Sequence, residues 1–94
     1  MITIKGYILK PEQQLMMIPS DSILSIGSLD DNIIIYALVD SSDNEGRPYQ
    51  FKMFYTDEEI GTELIDFTFL GTTKLYGKNK NIHVFYKSLF SKDL

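Results

Sequence analysis

The sequence predicts a mainly β domain: a small barrel or sandwich of six to seven mostly antiparallel strands. Three observations carry this. The run Asn32 to Asp40, NIIIYALVD, is rich in Ile, Val, Leu and Tyr and is bounded by turn residues on both sides. Tyr49 to Thr56 alternates at period two. Short apolar runs then recur along the chain between Gly, Pro, Asn and Asp. At 94 residues the chain is expected to be one domain, residues 1–94, burying roughly 60–65% of its unfolded surface.

Ile2 to Lys10 reads as the first strand, with Ile2, Ile4 and Ile8 on one side and Thr3, Lys5 and Tyr7 on the other. Gly6 marks a bulge or a close backbone approach. Pro11 ends the strand, and Gln13 to Ile18 forms a short second one closed by Pro19. A helix opening at Pro11 ranks below it, because Pro19 would stop it after barely two turns. Ser20-Asp21-Ser22 is a turn. Ile23 to Leu29 is the third strand, with Leu24 and Ile26 on its core face, and Asp30-Asp31 turns it back as a hairpin.

Ile33, Ile35, Ala37 and Val39 then point one way, and Ile34, Tyr36 and Leu38 the other. Both sets are apolar, which predicts a central strand buried on both faces. It is far short of the about 20 apolar residues that span a membrane. Asp40 to Pro48, DSSDNEGRP, is the most polar stretch and reads as a hairpin loop. As a calcium loop starting at Ser41 it places Asp43, Glu45 and Gly46 correctly. Ser41 is a poor first ligand, however, and Lys52 falls where a Glu is required.

In the fifth strand, Tyr49, Phe51, Met53 and Tyr55 form one face and Gln50, Lys52 and Thr56 the wet one, where Phe54 breaks the pattern. Thr56-Asp57-Glu58-Glu59 fits a capping box, with Ile60 and Leu64 spaced to dock on the core. Gly61 costs such a helix about 1 kcal/mol relative to Ala. One short helix of one or two turns, or a structured loop, is therefore expected near residues 57–65. Asp66 to Tyr76 is a long strand, with Phe67, Phe69 and Leu75 on one face, Leu70 and Tyr76 on the other, and Gly71 bending it. Gly77 to Asn81 is a turn. Ile82 to Lys87 is the last strand, with Ile82, Val84 and Tyr86 inward, and residues 89–94 are expected to fray.

Composition narrows function. With 44% hydrophobic and 23% charged residues the chain has an ordinary globular make-up. It has no cysteine, so disulfides and thiolate metal sites are excluded, and the composition suits a reducing cytoplasm. The N-terminus does not read as a signal peptide, because Lys5, Gly6, Lys10 and Pro11 break its apolar residues. The net charge of −4 is unevenly placed. Residues 30–66 carry ten acids against Arg47 and Lys52, whereas residues 67–94 carry five lysines against Asp93. With one arginine and a negative balance, direct nucleic-acid binding is not expected. The single histidine, His83, reads as a structural residue on a sheet face, and no spaced cluster of ligands joins it. No nucleophile–base–orienter set or phosphate-binding glycine loop is legible, so neither catalysis nor a cofactor is expected.

The ordered motifs Ile18-Pro19, Ile23-Leu24-Ser25-Ile26, Ala37-Leu38-Val39-Asp40, Leu70-Gly71-Thr72 and His83-Val84-Phe85 resemble a family of small uncharacterised proteins encoded by phages and prophages. The likeness spans Ile4 to Phe85. Two departures stand out: Tyr36 where the family usually has Trp, and Phe54-Tyr55-Thr56-Asp57 where it often has a Gly-Thr-Gly-His run. No role of that histidine carries over. The resemblance implies a phage origin, and with it the cytoplasm of an infected host cell, but no mechanism.

Binding remains as the expected function. The first expectation is a phage-encoded inhibitor that occupies a host defence or nucleic-acid-handling protein. Its basic surface would meet Asp57, Glu58, Glu59 and Glu63, with Asp43 and Glu45 of the polar loop. The alternatives are a barrel that sequesters a small ligand with Tyr, Phe and the lysines of the last hairpin, and a minor virion or assembly protein. A pocket with convergent polar groups would favour the former, and a symmetric oligomer with an apolar patch the latter. Oligomeric state is not legible.

Overall fold

The computed structural model describes residues 1–89; of the stretch 89–94 expected to fray, Leu89 is held by its N–H donating to the Pro48 carbonyl at 2.9 Å, and the rest lies outside the described residues. Its strands are β1 (Ile2–Leu9), β2 (Leu15–Ile18), β3 (Ser22–Leu29), β4 (Asn32–Asp40), β5 (Arg47–Tyr55), β6 (Thr68–Leu75) and β7 (Lys80–Ser88). They form two antiparallel sheets, ordered β1-β4-β3 and β2-β5-β7-β6, in a sandwich rather than a barrel.

Period-two patterning builds the core. Ile33, Ile35, Ala37 and Val39 of β4 face Tyr49 and Phe51 of β5, Ile82 and Val84 of β7 and Leu75 of β6, and all are buried. Leu9 and Ile18 close the two ends. Each large aliphatic or aromatic side chain sealed here contributes about 1.5–3 kcal/mol on burial. As expected, β4 is the middle strand of its sheet, the β3–β4 link is a hairpin, and Ile82, Val84 and Tyr86 point inward.

Five expectations are corrected. β4 is sealed on one face only: Ile34 and Tyr36 are half-buried and Leu38 is exposed, because nothing in the described residues stacks outside its sheet. The polar stretch after Asp40 is not a hairpin loop, since β4 and β5 belong to different sheets and the loop carries the chain from one to the other. Leu24 does not face the core. A register shift between Ile23 and Ser25 rotates it to solvent, and Ile23 packs inward in its place, beside Ile26, which faces the core as expected. A second shift, between Phe69 and Gly71, splits the face assigned to β6. Phe69 stacks outside on Phe85, while Leu70 and Leu75 turn in. Phe54 is buried although it lies on the outer side of β5, with the Phe85 ring edge-on at 6.2 Å.

The glycines mark close approaches. At Gly71, a Cβ would lie 3.1 Å from Ile26 Cγ1, where β3 of one sheet meets β6 of the other. Gly6 produces no bulge, because the β1–β4 register runs unbroken past it.

Candidate functional site

The connection from Tyr55 to Thr68 carries four of the six acids singled out in the sequence. Of the two forms expected near residues 57–65 it takes the structured loop, with one 3-10 turn, Thr62–Leu64, and not a helix capped at Thr56. The reason is local. The Glu58 N–H donates to the Tyr55 carbonyl at 3.1 Å, and the Glu58 carboxylate accepts from the Tyr55 N–H at 3.0 Å. This closes a tight turn in which Asp57 has φ 73°, a left-handed value that no helix start allows. The Thr56 hydroxyl, needed as the cap, is bonded to His83 Nε2 at 2.8 Å.

The chain then crosses outside β7 to reach β6. Bonds from the Ile65 N–H to the Thr62 carbonyl and from the Phe67 N–H to the Leu64 carbonyl fix its second half, with Asp66 again at φ 73°. The Phe67 ring receives Lys52 Nζ at 5.5 Å and Lys87 Nζ at 4.9 Å. Asp57, Glu58, Glu59 and Glu63 are all exposed along this loop, and Glu63 flanks a shallow cleft with Glu12, Gln14, Gln50 and Lys52. Ile60 is exposed rather than docked, while Leu64 is half-buried.

Asp43 and Glu45 belong to a different place. They precede β5, and the turn with Asp57 and Glu58 follows it, about 27 Å away along that strand, whereas Glu63 lies back along it beside Gln50 and Lys52. Arg47 occupies Asp43: Nη2 lies 2.7 Å from its carboxylate, Nη1 donates to the Glu45 carbonyl at 3.0 Å, and Nε is 3.0 Å from Asp21. The Arg47 hydrogen bond, helped by the Glu45 N–H, holds the Asp43 carboxyl below its ordinary value of 3.8. The six acids are therefore not one surface. Asp43 is a structural residue of the sheet-to-sheet loop, the Glu45 carboxylate is exposed beside it, and the remaining four form the acidic loop.

Folding also blends the charge blocks of the sequence. β7 pairs with β5, which brings Lys78 and Lys80 to the Asp57 end of the molecule. Lys80 Nζ sits 5.3 Å from the centre of the Tyr55 ring, and Lys78 Nζ 3.3 Å from its hydroxyl. Asp31 of the β3–β4 turn bonds the Gly77 N–H at 2.9 Å, which ties the tips of the two sheets together.

His83 has both ring nitrogens engaged, Nδ1 by the Thr72 hydroxyl at 2.7 Å and Nε2 by Thr56. Among the described residues no group of three or more metal-ligating side chains comes together, and no helix is long and apolar enough to cross a membrane.

One surface escaped the sequence reading. On the outer side of the three-stranded sheet, Ile2, Ile4 and Ile8 of β1 align with Ile34, Tyr36 and Leu38 of β4. Ile2, Ile4 and Ile8 are 65%, 63% and 54% exposed. The signal was present as the second apolar set of β4, whose phase matches that of the three isoleucines.

Residues 1–93 match the model of a family described as Domain of unknown function (DUF7352). No curated protein and no solved structure matches the chain.

Proposed function

We propose that this chain, which belongs to the DUF7352 family of unknown function, acts by binding, as a non-catalytic protein that occupies a partner with a basic surface. The observation that carries this reading is the β5–β6 loop. It holds Asp57, Glu58, Glu59 and Glu63 in solvent on a backbone fixed by three hydrogen bonds and the Tyr55–Glu58 contact. A rigid acidic loop steers a basic partner and loses little conformational entropy on contact. A phage-encoded inhibitor of a host defence or nucleic-acid-handling protein, working in the cytoplasm of the infected cell, is the specific form we propose. Its phage origin rests on the resemblance of the ordered motifs.

The test is capture of partners from host lysate, followed by binding kinetics of the Glu59→Lys, Glu63→Lys double variant. Glu58 is left intact because its carboxylate closes the turn. The reading expects markedly slower association by a folded variant. Unchanged association removes the loop from the interface.

A second reading, a small-ligand sequestering protein, is favoured by one observation: a cleft where Tyr55, Thr56, Asn79, Lys80 and Asn81 converge. Native mass spectrometry of the purified protein decides it by showing or failing to show a bound molecule.

A further inference from the structure

We infer that the cleft between the end of β5 and the start of β7 binds a dianionic phosphate group, carried by free phosphate or by a small phosphomonoester. This rests on the small-ligand reading of that cleft and names the ligand's chemistry.

Strand pairing builds the cleft. β5 ends at Tyr55 and β7 begins at Lys80, and just past the end of β5 the Thr56 N–H donates to the Asn81 carbonyl at 3.3 Å. The turn that leads into β7 is tight. The Lys78 N–H donates to the Leu75 carbonyl at 3.1 Å, and the Asn79 N–H to the Tyr76 carbonyl at 3.3 Å. Asn79 takes φ 51°, a left-handed value that Asn tolerates. With Asn79 as the bend, Lys78 and Lys80 reach the same ring. Lys78 Nζ lies 5.9 Å and Lys80 Nζ 5.3 Å from the centre of Tyr55, and Lys78 Nζ also donates to the Tyr55 hydroxyl at 3.3 Å.

Charge sets the ligand class. Among the described residues neither ammonium has a carboxylate as an ion-pair partner. A π face and one phenol oxygen are what they meet, and each ammonium has three donors to place. Two unneutralised positive charges beside one ring favour an anion, and they match one that carries two charges. A phosphate monoester carries about −1.5 to −2 at pH 7 and offers three acceptor oxygens, whereas a carboxylate brings one charge. Lysine binds phosphate as a point charge. The rest of the lining agrees: Thr56, Asn79 and Asn81 are polar and Tyr55 is the aromatic wall, so an apolar ligand finds little surface to bury against.

Two nearby carboxylates are engaged in the backbone. Glu58 accepts from the Tyr55 N–H at 3.0 Å, and Asp31 accepts from the Gly77 N–H at 2.9 Å. Asp57 follows Thr56 in the chain and is exposed, so its charge opposes the anion and keeps affinity modest. Size limits how much of a ligand is held. The cleft measures about 280 Å³, just under the about 300–1,000 Å³ of pockets that enclose drug-sized molecules. It takes the phosphate group and leaves the remainder of a larger molecule in solvent.

The experiment is titration of the isotope-labelled full chain with sodium phosphate to about 10 mM at constant ionic strength, followed in amide spectra. Sodium acetate is the single-charge arm and glycerol phosphate the phosphomonoester arm. Both phosphates are expected to shift the amides of Tyr55, Thr56 and residues 78–81 saturably, with Kd of about 1 mM or below, and acetate to bind more weakly. Lys78→Gln and Lys80→Gln, at exposed sites, are each expected to raise Kd about tenfold, the loss of one hydrogen bond to a charged group. Lys87→Gln, about 23 Å farther along β7, is expected to bind like the wild type. Tighter binding of glycerol phosphate assigns the site to a phosphomonoester, and equal or weaker binding assigns it to free phosphate. No saturable shift with either phosphate, acetate binding as tightly as phosphate, or an unchanged Kd for Lys80→Gln in a folded variant overturns the inference. A neutral or cationic molecule held in this cleft in native mass spectra keeps the small-ligand reading and overturns this inference alone. Native spectra without a bound molecule fail the sequestering reading, and the titration still decides the site.

Discussion

Ser20 and Tyr49 show what single polar groups do in this core. Ser20 is buried, and its hydroxyl donates to the Leu38 carbonyl of β4 while the Tyr49 hydroxyl donates to the Ser20 carbonyl. The β2–β3 turn is thereby tied to both sheets. Tyr49→Phe removes one of these bonds and is expected to cost about 0.5–1.5 kcal/mol in urea unfolding at neutral pH. Burial, then the nearby Asp21 charge, raises the Tyr49 hydroxyl above its ordinary value of 10.0. The stability it lends is complete below that value and is lost as pH rises through the folded-state value. The gap between wild type and Tyr49→Phe should accordingly narrow in strong alkali. Asp43 has the opposite sign. Its pKa is depressed by Arg47, so its contribution is complete above 3.8 and is lost as pH falls below it toward the folded-state value. Acid unfolding of Asp43→Asn should show a shallower loss of stability below that point than wild type. An unchanged acid limb would show that the Arg47 pair does not stabilise the fold.

Elements were legible where pattern alone decides them. The alternation in Tyr49, Phe51, Met53 and the inward set of β7 survived folding, because both strands pair without a register shift. The pattern failed at β3 and β6, where one extra residue at Leu24 and at Leu70 reverses the faces beyond it. Nothing in those side chains announces the shift. The doubly apolar β4 was read as doubly buried, when one of its faces is a surface. The acids near residue 58 were legible as an acidic stretch, but the choice of loop over helix was not, because the partner that takes the Thr56 hydroxyl, His83, lies 27 residues away. Asp43 and Glu45 were grouped with them by sequence proximity, which β5 converts into distance. The loop's shape makes its own prediction. Asp57 sits at φ 73°, which glycine adopts freely and a β-branched residue does not. Asp57→Gly should leave stability unchanged or slightly raised, while Asp57→Val should lower it by about 1–2 kcal/mol in thermal or urea unfolding. Equal stability of the two variants would contradict the turn described here.

At the scale of the molecule, a sandwich built around β4 predicts an order of opening. Amides of Ile33 to Val39 lie in the middle strand of their sheet and should be among the slowest to exchange with solvent. Those of Ile2 to Ile4, on the edge strand β1, should exchange faster. Equal rates would deny β4 its central place. The sandwich also separates two surfaces by chemistry: an uncharged sheet face on one side and an acidic loop crossing the outside of the other sheet. The loop is the part on which the binding account stands. The measurement that tests it most directly is the association rate with the captured partner, followed across a range of salt concentrations for wild type and for Glu59→Lys, Glu63→Lys. Exposed charges are screened beyond about 8 Å at physiological ionic strength. The account predicts that wild-type association slows steeply as salt rises, and that the variant starts slower and depends less on salt. Identical rates and identical salt slopes for the two folded proteins would contradict it.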